Sequence, residues 1–343
     1  MPKVAVITGA GAGVGRATAD EFARQGFDVT LLSRDSVRLE RAADELRCKG
    51  VRPANSDRCR RRRRRGSGRR SRRGGAWADR RLGERRDGDC LLPRGHADGG
   101  KEIERGTRVT YLGQVHGMMS ALPRMRVRNR GTIVNVGSAL AYRSVPLQSI
   151  YCGAKAAIRG FTDSLRSEII HDKLDVQLTM VDLPAVNTPQ FDWALNKMGR
   201  KAKPVAPIFE PEVPARAIFF AGTHKRRVIW VGWPTVKAIL ANRVAPGLID
   251  RYLATAGYSG QLSDQPTAPS APGNLFEPVL GDYSAHGRFD AQSRARSWEM
   301  FTDRHKAAVV AAVAILMLGL AIRQARNVLR TDRSLRHALR ARQ

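Results

Sequence analysis

The sequence predicts an α/β protein: a doubly wound parallel sheet in a single domain, extended at its C-terminus by a linker and an apolar helix. Three observations predict it. Short apolar runs alternate with helical patterns from the first residues onward. A glycine-rich turn separates the first run from the first helical pattern. Further along, a serine closes one apolar run, and a tyrosine and a lysine lie four residues apart on the next helical pattern, on one face of it.

Val4 to Thr8 reads as the first strand, and Thr8-Gly9-Ala10-Gly11-Ala12-Gly13-Val14-Gly15 as the turn after it. Arg16 to Gln25 is helical in pattern and is stopped by Gly26; Val29 to Leu32 is the second apolar run. Strand, glycine turn, helix, strand is how a Rossmann-type nucleotide-binding sheet begins. Its glycines let the backbone approach a pyrophosphate, and the helix N-terminus offers N–H groups and a positive dipole end. Thr8, Gly9, Gly13, Val14 and Gly15 are therefore candidate cofactor contacts. Ser33 and Arg34 close the second run. An acid there would accept the ribose 2′-OH of NAD, whereas a hydroxyl and a guanidinium suit a 2′-phosphate. This points to NADP, with NAD possible; the plainer alternative is that Arg34 is a solvated helix-entry residue.

Arg52 to Gly100 breaks the alternation. It holds 17 Arg against 6 Asp and Glu, with six consecutive arginines from Arg60 to Arg65. At face value it is a disordered basic tract that could bind nucleic acid or acidic lipid. Its only aromatic is Trp77, which gives base stacking little support. A second reading is a slip of reading frame. Shifted by one nucleotide, the codons for Asp79 to Asp87 permit Ile-Asp-Val-Trp-Val-Asn-Ala-Ala-Met, a buried strand ending in Asn-Ala where such a sheet needs its fourth strand. The slip would open near Val51 to Ala54 and close near Lys101.

Thr107 to Met125 returns to a helical pattern, and Gly131 to Gly137 is an apolar strand that delivers Ser138. The helix after Ser149 carries Tyr151 and Lys155 and runs to His171. Val176 to Leu183 is a further strand, followed by Pro184 to Pro189 and a polar, proline-bearing excursion to Pro211, expected as a substrate lid. Val213 to Ala221 is a helix and Val228 to Val231 a last strand. Val236 to Leu253 is an amphipathic helix pair split at Pro246-Gly247. Its apolar face is assigned to core packing, with a partner subunit or a membrane as alternatives.

Residues 256–303 are rich in Pro, Gly, Ser and Asp and read as a linker. Residues 304–343 form a basic tail with 9 Arg and Lys against Asp332. Within it, Ala307 to Ile322 is uncharged; sixteen residues make about 24 Å, short of the roughly 30 Å hydrocarbon core. Snorkelling by Lys306, Arg323 and Arg326 would extend it, so a membrane helix is expected, with an in-plane anchor or an oligomer helix as alternatives. The net charge of +29 is concentrated in the 52–100 tract and this tail. The four cysteines form no CxxC pair, which reads as a reducing compartment. The histidines have no metal-ligand spacing. The N-terminus enters a strand-like run directly and is not expected to be a signal peptide. The expected location is the cytoplasmic face of a membrane.

Thr8-Gly-x-x-x-Gly13-x-Gly15, Ser138 and Tyr151-x-x-x-Lys155, in this order, resemble the short-chain dehydrogenase/reductase superfamily. The resemblance covers residues 1–255, with 52–101 failing to match. It implies a single Rossmann domain with strand order 3-2-1-4-5-6-7, hydride transfer between NAD(P) and a carbonyl or alcohol, and a homo-oligomer. By resemblance Tyr151 would be the general acid or base, its phenol, ordinarily titrating near about pH 10, lowered by Lys155. Lys155 would also hold the nicotinamide ribose, Ser138 would hydrogen-bond the substrate oxygen, and Thr188 would touch the carboxamide. Many members carry an asparagine at the place of Thr110, and Pro-Gly where this chain has Pro184-Ala185.

The function expected is therefore an NADP(H)-dependent oxidoreductase on a small carbonyl or alcohol substrate, lipid-like if the tail and amphipathic helices bring it to membranes. Two alternatives stand: an inactive relative disabled by the 52–101 tract, and a basic protein that binds nucleic acid or a membrane surface.

Overall fold

The computed structural model describes residues 3–50, 54–56, 80–84, 90–91, 99–268 and 271–297. In chain order the elements are β1 (Val4–Thr8), α1 (Gly13–Arg24), β2 (Asp28–Leu32), α2 (Ser36–Cys48), β3 (Ala54–Ser56), β4 (Arg80–Glu84), β5 (Cys90–Leu91), α3 (Gly99–Thr107) and α4 (Gly113–Val127). There follow β6 (Gly131–Ser138), α5 (Ser149–His171), β7 (Val176–Leu183), α6 (Gln190–Trp193), β8 (Leu195–Asn196), β9 (Arg200–Ala202) and β10 (Ile208–Phe209). The last are α7 (Glu212–Thr223), β11 (Val228–Trp230), α8 (Trp233–Val244), α9 (Pro246–Ser259), β12 (Leu262–Pro266) and β13 (Ser293–Arg294).

Seven parallel strands form the main sheet in the order β11-β7-β6-β4-β1-β2-β3, the order the resemblance implies. Strands covered on both faces read as near-continuous apolar runs, and VAVIT in β1 and VQLTMVDL in β7 are buried almost throughout. On one face α4 and α5 close a core of Met118, Met125, Ile133, Leu165, Ile169 and Leu178. On the other, α1 and α7 meet through Phe22, Phe27 and Phe219, whose rings stand edge to face with centroids 5.1–5.8 Å apart.

Four expectations change. First, α1 begins at Gly13 and not at Arg16, so the last glycines of the turn already belong to the helix. Second, the basic tract contributes strands. Arg80–Glu84 pairs with β1 on one edge and β6 on the other, the central place that the shifted frame reserves for an apolar strand. Third, the stretch expected as a linker is packed against the domain as far as Ser297: β12 pairs with β9, β13 with β10, and backbone carbonyls between them take hydrogen bonds from the sheet's loops. Fourth, the expected lid, 190–211, is built from α6 and three short strands. The arginine run 60–65 and the apolar stretch 307–322 lie outside the described residues; among the described ones no helix is long and apolar enough to cross a membrane.

Candidate active site

The site lies at the C-terminal edge of the sheet, where β1, β2, β6 and β7 end and where open α/β sheets bind ligands. The glycine turn is shaped by close approach. Gly9 and Gly13 have φ of +72° and +56°, a region costly for other residues. A Cβ at Gly15 would lie 2.2 Å from the Gly9 carbonyl oxygen. Thr8 and Val14 are buried on either side, and Ala10 N–H donates to the Leu32 carbonyl at 3.1 Å, tying the turn to the end of β2. The N-cap position of α1 is Ala12, with no side chain to satisfy the first helical amides. A helix end left without a side-chain cap beside a turn of alternating glycine and alanine is chemically fitted to a pyrophosphate.

At the end of β2, Ser33 lies beside Gly11, where a Cβ would come 2.8 Å from its Oγ. Arg34 lines the same cleft and donates from Nη2 to the Asn274 carbonyl at 2.9 Å. The acid of this corner, Asp35, is committed elsewhere: it caps α2 by accepting from Arg38 N–H at 3.0 Å and pairs with the Arg38 guanidinium at 3.0 Å. Across the cleft Thr188 packs on Gly13, 3.3 Å from where a Cβ there would stand. Two buried polar atoms of the cleft, Gln190 Nε2 and Asn274 Oδ1, have no hydrogen-bond partner in the protein. The residues present therefore fit a dinucleotide.

Ser138 ends β6 opposite Leu183. Its Oγ accepts the Leu140 N–H at 3.1 Å, fixing a 3₁₀ turn (Ala139–Ala141) that packs on α5. Tyr151 and Lys155 sit one turn apart on α5, 9% and 1% exposed. Lys155 Nζ lies 5.4 Å from the Tyr151 ring centroid and donates to the Val136 carbonyl at 3.0 Å. The structure thus holds the lysine against the phenol from the side of β6.

Two features escaped the sequence reading. Gln114, fully buried on α4, donates to the same Val136 carbonyl at 3.2 Å, and its Oε1 is buried without a partner. It stands one turn after Thr110, which is buried in a π-helical turn (Arg108–Leu112) joining α3 to α4. The second is Asp182, a fully buried acid in β7 that accepts from the Tyr142 hydroxyl at 3.0 Å. The missing Cβ of Gly137 makes its room, since one built there would lie 2.0 Å from Asp182 Oδ1. Burial pushes the Asp182 carboxyl up to about 7, against the opposing pull of the Tyr142 hydrogen bond, Lys155 and Arg159. Burial, with the charge of Asp182, pushes Tyr142 up to about 12. A lone acid inside an apolar strand was the available signal. Among the described residues no cluster of three His, Cys, Asp or Glu could hold a metal ion.

Comparison with known proteins agrees with this fold. The family model described as short chain dehydrogenase matches residues 3–57 and 96–197, stopping and resuming around the arginine-rich tract. The uncharacterized oxidoreductase YxnA of Bacillus subtilis is 27% identical over 337 residues, covering 91% of this chain and 88% of YxnA. The uncharacterized oxidoreductase Rv1543 of Mycobacterium tuberculosis is 27% identical, covering 73% of this chain and 72% of its own length. Among solved structures, a short chain dehydrogenase/reductase from Burkholderia phymatum in complex with NAD shares the fold at TM-score 0.55 and 22% identity, over 73% of this chain and 95% of that one. L-sorbose reductase from Gluconobacter frateurii, complexed with NADPH and L-sorbose, does so at TM-score 0.53 and 22% identity, over 67% and 95%.

Proposed function

We propose that the chain is a short-chain dehydrogenase/reductase and acts as an NADP(H)-dependent oxidoreductase of carbonyl or alcohol substrates, with Tyr151 as its acid/base. The observation that carries this reading is the burial of Lys155 against the Tyr151 ring, one helical turn away, with its ammonium tied to the Val136 carbonyl. A buried ammonium is costly, and beside a phenol it favours the phenolate, so the pair is suited to giving a proton to a substrate oxygen or taking one from it. Ser138 has one lone pair committed to Leu140 N–H, which leaves its O–H to donate to that same oxygen and steady developing charge.

The glycine turn and the α1 N-terminus would hold the pyrophosphate, Lys155 the nicotinamide ribose and Thr188 the carboxamide. Bound there, the nicotinamide would supply or accept the hydride. Preference for the 2′-phosphorylated cofactor rests on Ser33 and Arg34 together with the commitment of Asp35 to Arg38 and the α2 cap. The test is NADPH oxidation with a panel of aldehydes and ketones. Tyr151→Phe is expected to lose at least about a hundredfold in kcat, the scale of a positioned acid, while NADPH affinity stays within about twofold. A variant with unchanged kcat removes Tyr151 from the chemistry.

A second reading, an inactive relative, is favoured by one observation: the central strand β4 reads Arg-Arg-Leu-Gly-Glu, in a place where parallel sheets require apolar residues on both faces. Wild-type protein that oxidises NADPH with any member of that panel would retire it.

A further inference from the structure

Residues 274–289 cross the nucleotide cleft, and the groups they occupy are the ones assigned above to the dinucleotide. We propose that this segment is an autoinhibitory strap that competes with the dinucleotide for the cleft; the proposal rests on the nucleotide reading of the site. Three contacts carry it, in the order a dinucleotide would make them. The Asn274 carbonyl accepts Arg34 Nη2 at 2.9 Å, at the corner assigned to the 2′-phosphate. The Ser284 carbonyl accepts Gly13 N–H at 3.0 Å, at the helix end assigned to the pyrophosphate. Gly287 lies on Thr188, assigned to the carboxamide, so closely that a Cβ would stand 2.5 Å from the Thr188 carbonyl oxygen.

Each contact offers a neutral peptide oxygen, or plain backbone, to a group whose chemistry prefers an anion or a polar ligand. The strap is a weaker surrogate that a dinucleotide can replace. The two cannot be seated together. With the strap in place the cleft keeps about 130 Å³ of open space, below the roughly 300–1,000 Å³ of ordinary ligand pockets.

The strap is fastened from outside the cofactor groups. Arg105 on α3 donates to the Leu275 carbonyl at 3.1 Å and the Phe276 carbonyl at 3.2 Å. The Arg38 guanidinium packs on both Trp193 and Tyr283, 4.6 and 5.1 Å from their ring centroids, which themselves stand 4.6 Å apart. Asn187 donates to Asp290 at 2.7 Å and accepts Phe289 N–H at 3.0 Å. These bonds set how often the cleft is free, and the apparent affinity for a dinucleotide falls in proportion to that fraction.

The experiment is fluorescence titration of NADPH into the full chain and into Arg105→Ala and Gly287→Ala. Neither residue has a role in the catalytic or cofactor-binding groups, and the two act on the strap by different means. Arg105→Ala removes two hydrogen bonds to the strap backbone, and Gly287→Ala forces it off Thr188. Both variants are expected to bind NADPH about tenfold more tightly. In the wild-type chain, saturating NADPH is expected to speed amide hydrogen exchange at Phe289, whose N–H the docked strap gives to Asn187 Oδ1. Wild-type binding that neither variant tightens, with exchange at Phe289 unchanged or slowed by NADPH, overturns the strap and leaves the nucleotide reading standing. Absence of NADPH binding in all three proteins overturns both. Binding by the variants alone supports both.

Discussion

Replacing Asp182 by Asn changes one buried charge and keeps an oxygen for the Tyr142 hydroxyl. The carboxyl titrates at about 7 in the folded chain against an ordinary 3.8. Between about pH 4 and about pH 7 the folded protein therefore holds a proton that the unfolded chain has lost, and stability falls as pH rises through that window. The charged and titratable groups around it are Tyr142 in the loop after β6, and Lys155, Arg159 and Asp163 on α5. At about 1.4 kcal/mol per pH unit, the penalty that the wild type gains between about pH 5 and about pH 8.5 is about 3 kcal/mol. The variant lacks this term. Its amide N–H, placed where Asp182 Oδ1 is buried without a partner, costs about 1–3 kcal/mol at every pH. Urea unfolding of both proteins at the two pH values separates the two effects: the offset cancels, and the difference between the proteins is expected to move by about 3 kcal/mol in the variant's favour on going to high pH. A difference that moves by less than about 1 kcal/mol refutes the claim that Asp182 is held protonated by burial.

Two further predictions concern the cofactor and the central strand. Arg34→Ala is expected to lower the ratio of NADPH to NADH affinity about tenfold or more, measured by calorimetry; the ratio is the right quantity because release of the strap affects both cofactors equally, and an unchanged ratio removes Arg34 from the 2′-phosphate site. The DNA across codons 51–102 is expected to show two compensating one-nucleotide shifts. A chain translated through them, with an apolar β4, is expected to unfold at a urea concentration well above that of the present chain, whereas an unbroken frame on resequencing contradicts the slip.

The sheet on either side of its fourth strand was legible because periodicity and glycine placement report it directly: VAVIT and the Tyr151–Lys155 spacing map onto the expected elements, and the glycine turn departs only in that α1 already begins at Gly13. The fourth strand was legible only through its absence. Nothing in Arg-Arg-Leu-Gly-Glu alternates or is apolar, and its place is set by β1 and β6 on either side. The 256–297 stretch was misjudged for a different reason. Proline, glycine and serine report a lack of periodicity, and they say nothing about backbone carbonyls. It is through the carbonyls of Asn274, Leu275 and Ser284 that this stretch is held on the cleft. Gln114 was missed because its role is a contact with the Val136 carbonyl, shared with Lys155, which no spacing in the sequence encodes.

The central claim is hydride transfer at Tyr151 and Lys155. The most direct measurement uses NADPH deuterated at the transferable position of the nicotinamide ring, incubated with the full chain and the panel of aldehydes and ketones, with the alcohols analysed by mass spectrometry. The account predicts deuterium on the carbinol carbon of at least one product with the wild type and none above background with Tyr151→Phe. Saturable NADPH binding with no deuterated alcohol from any member of the panel would contradict it.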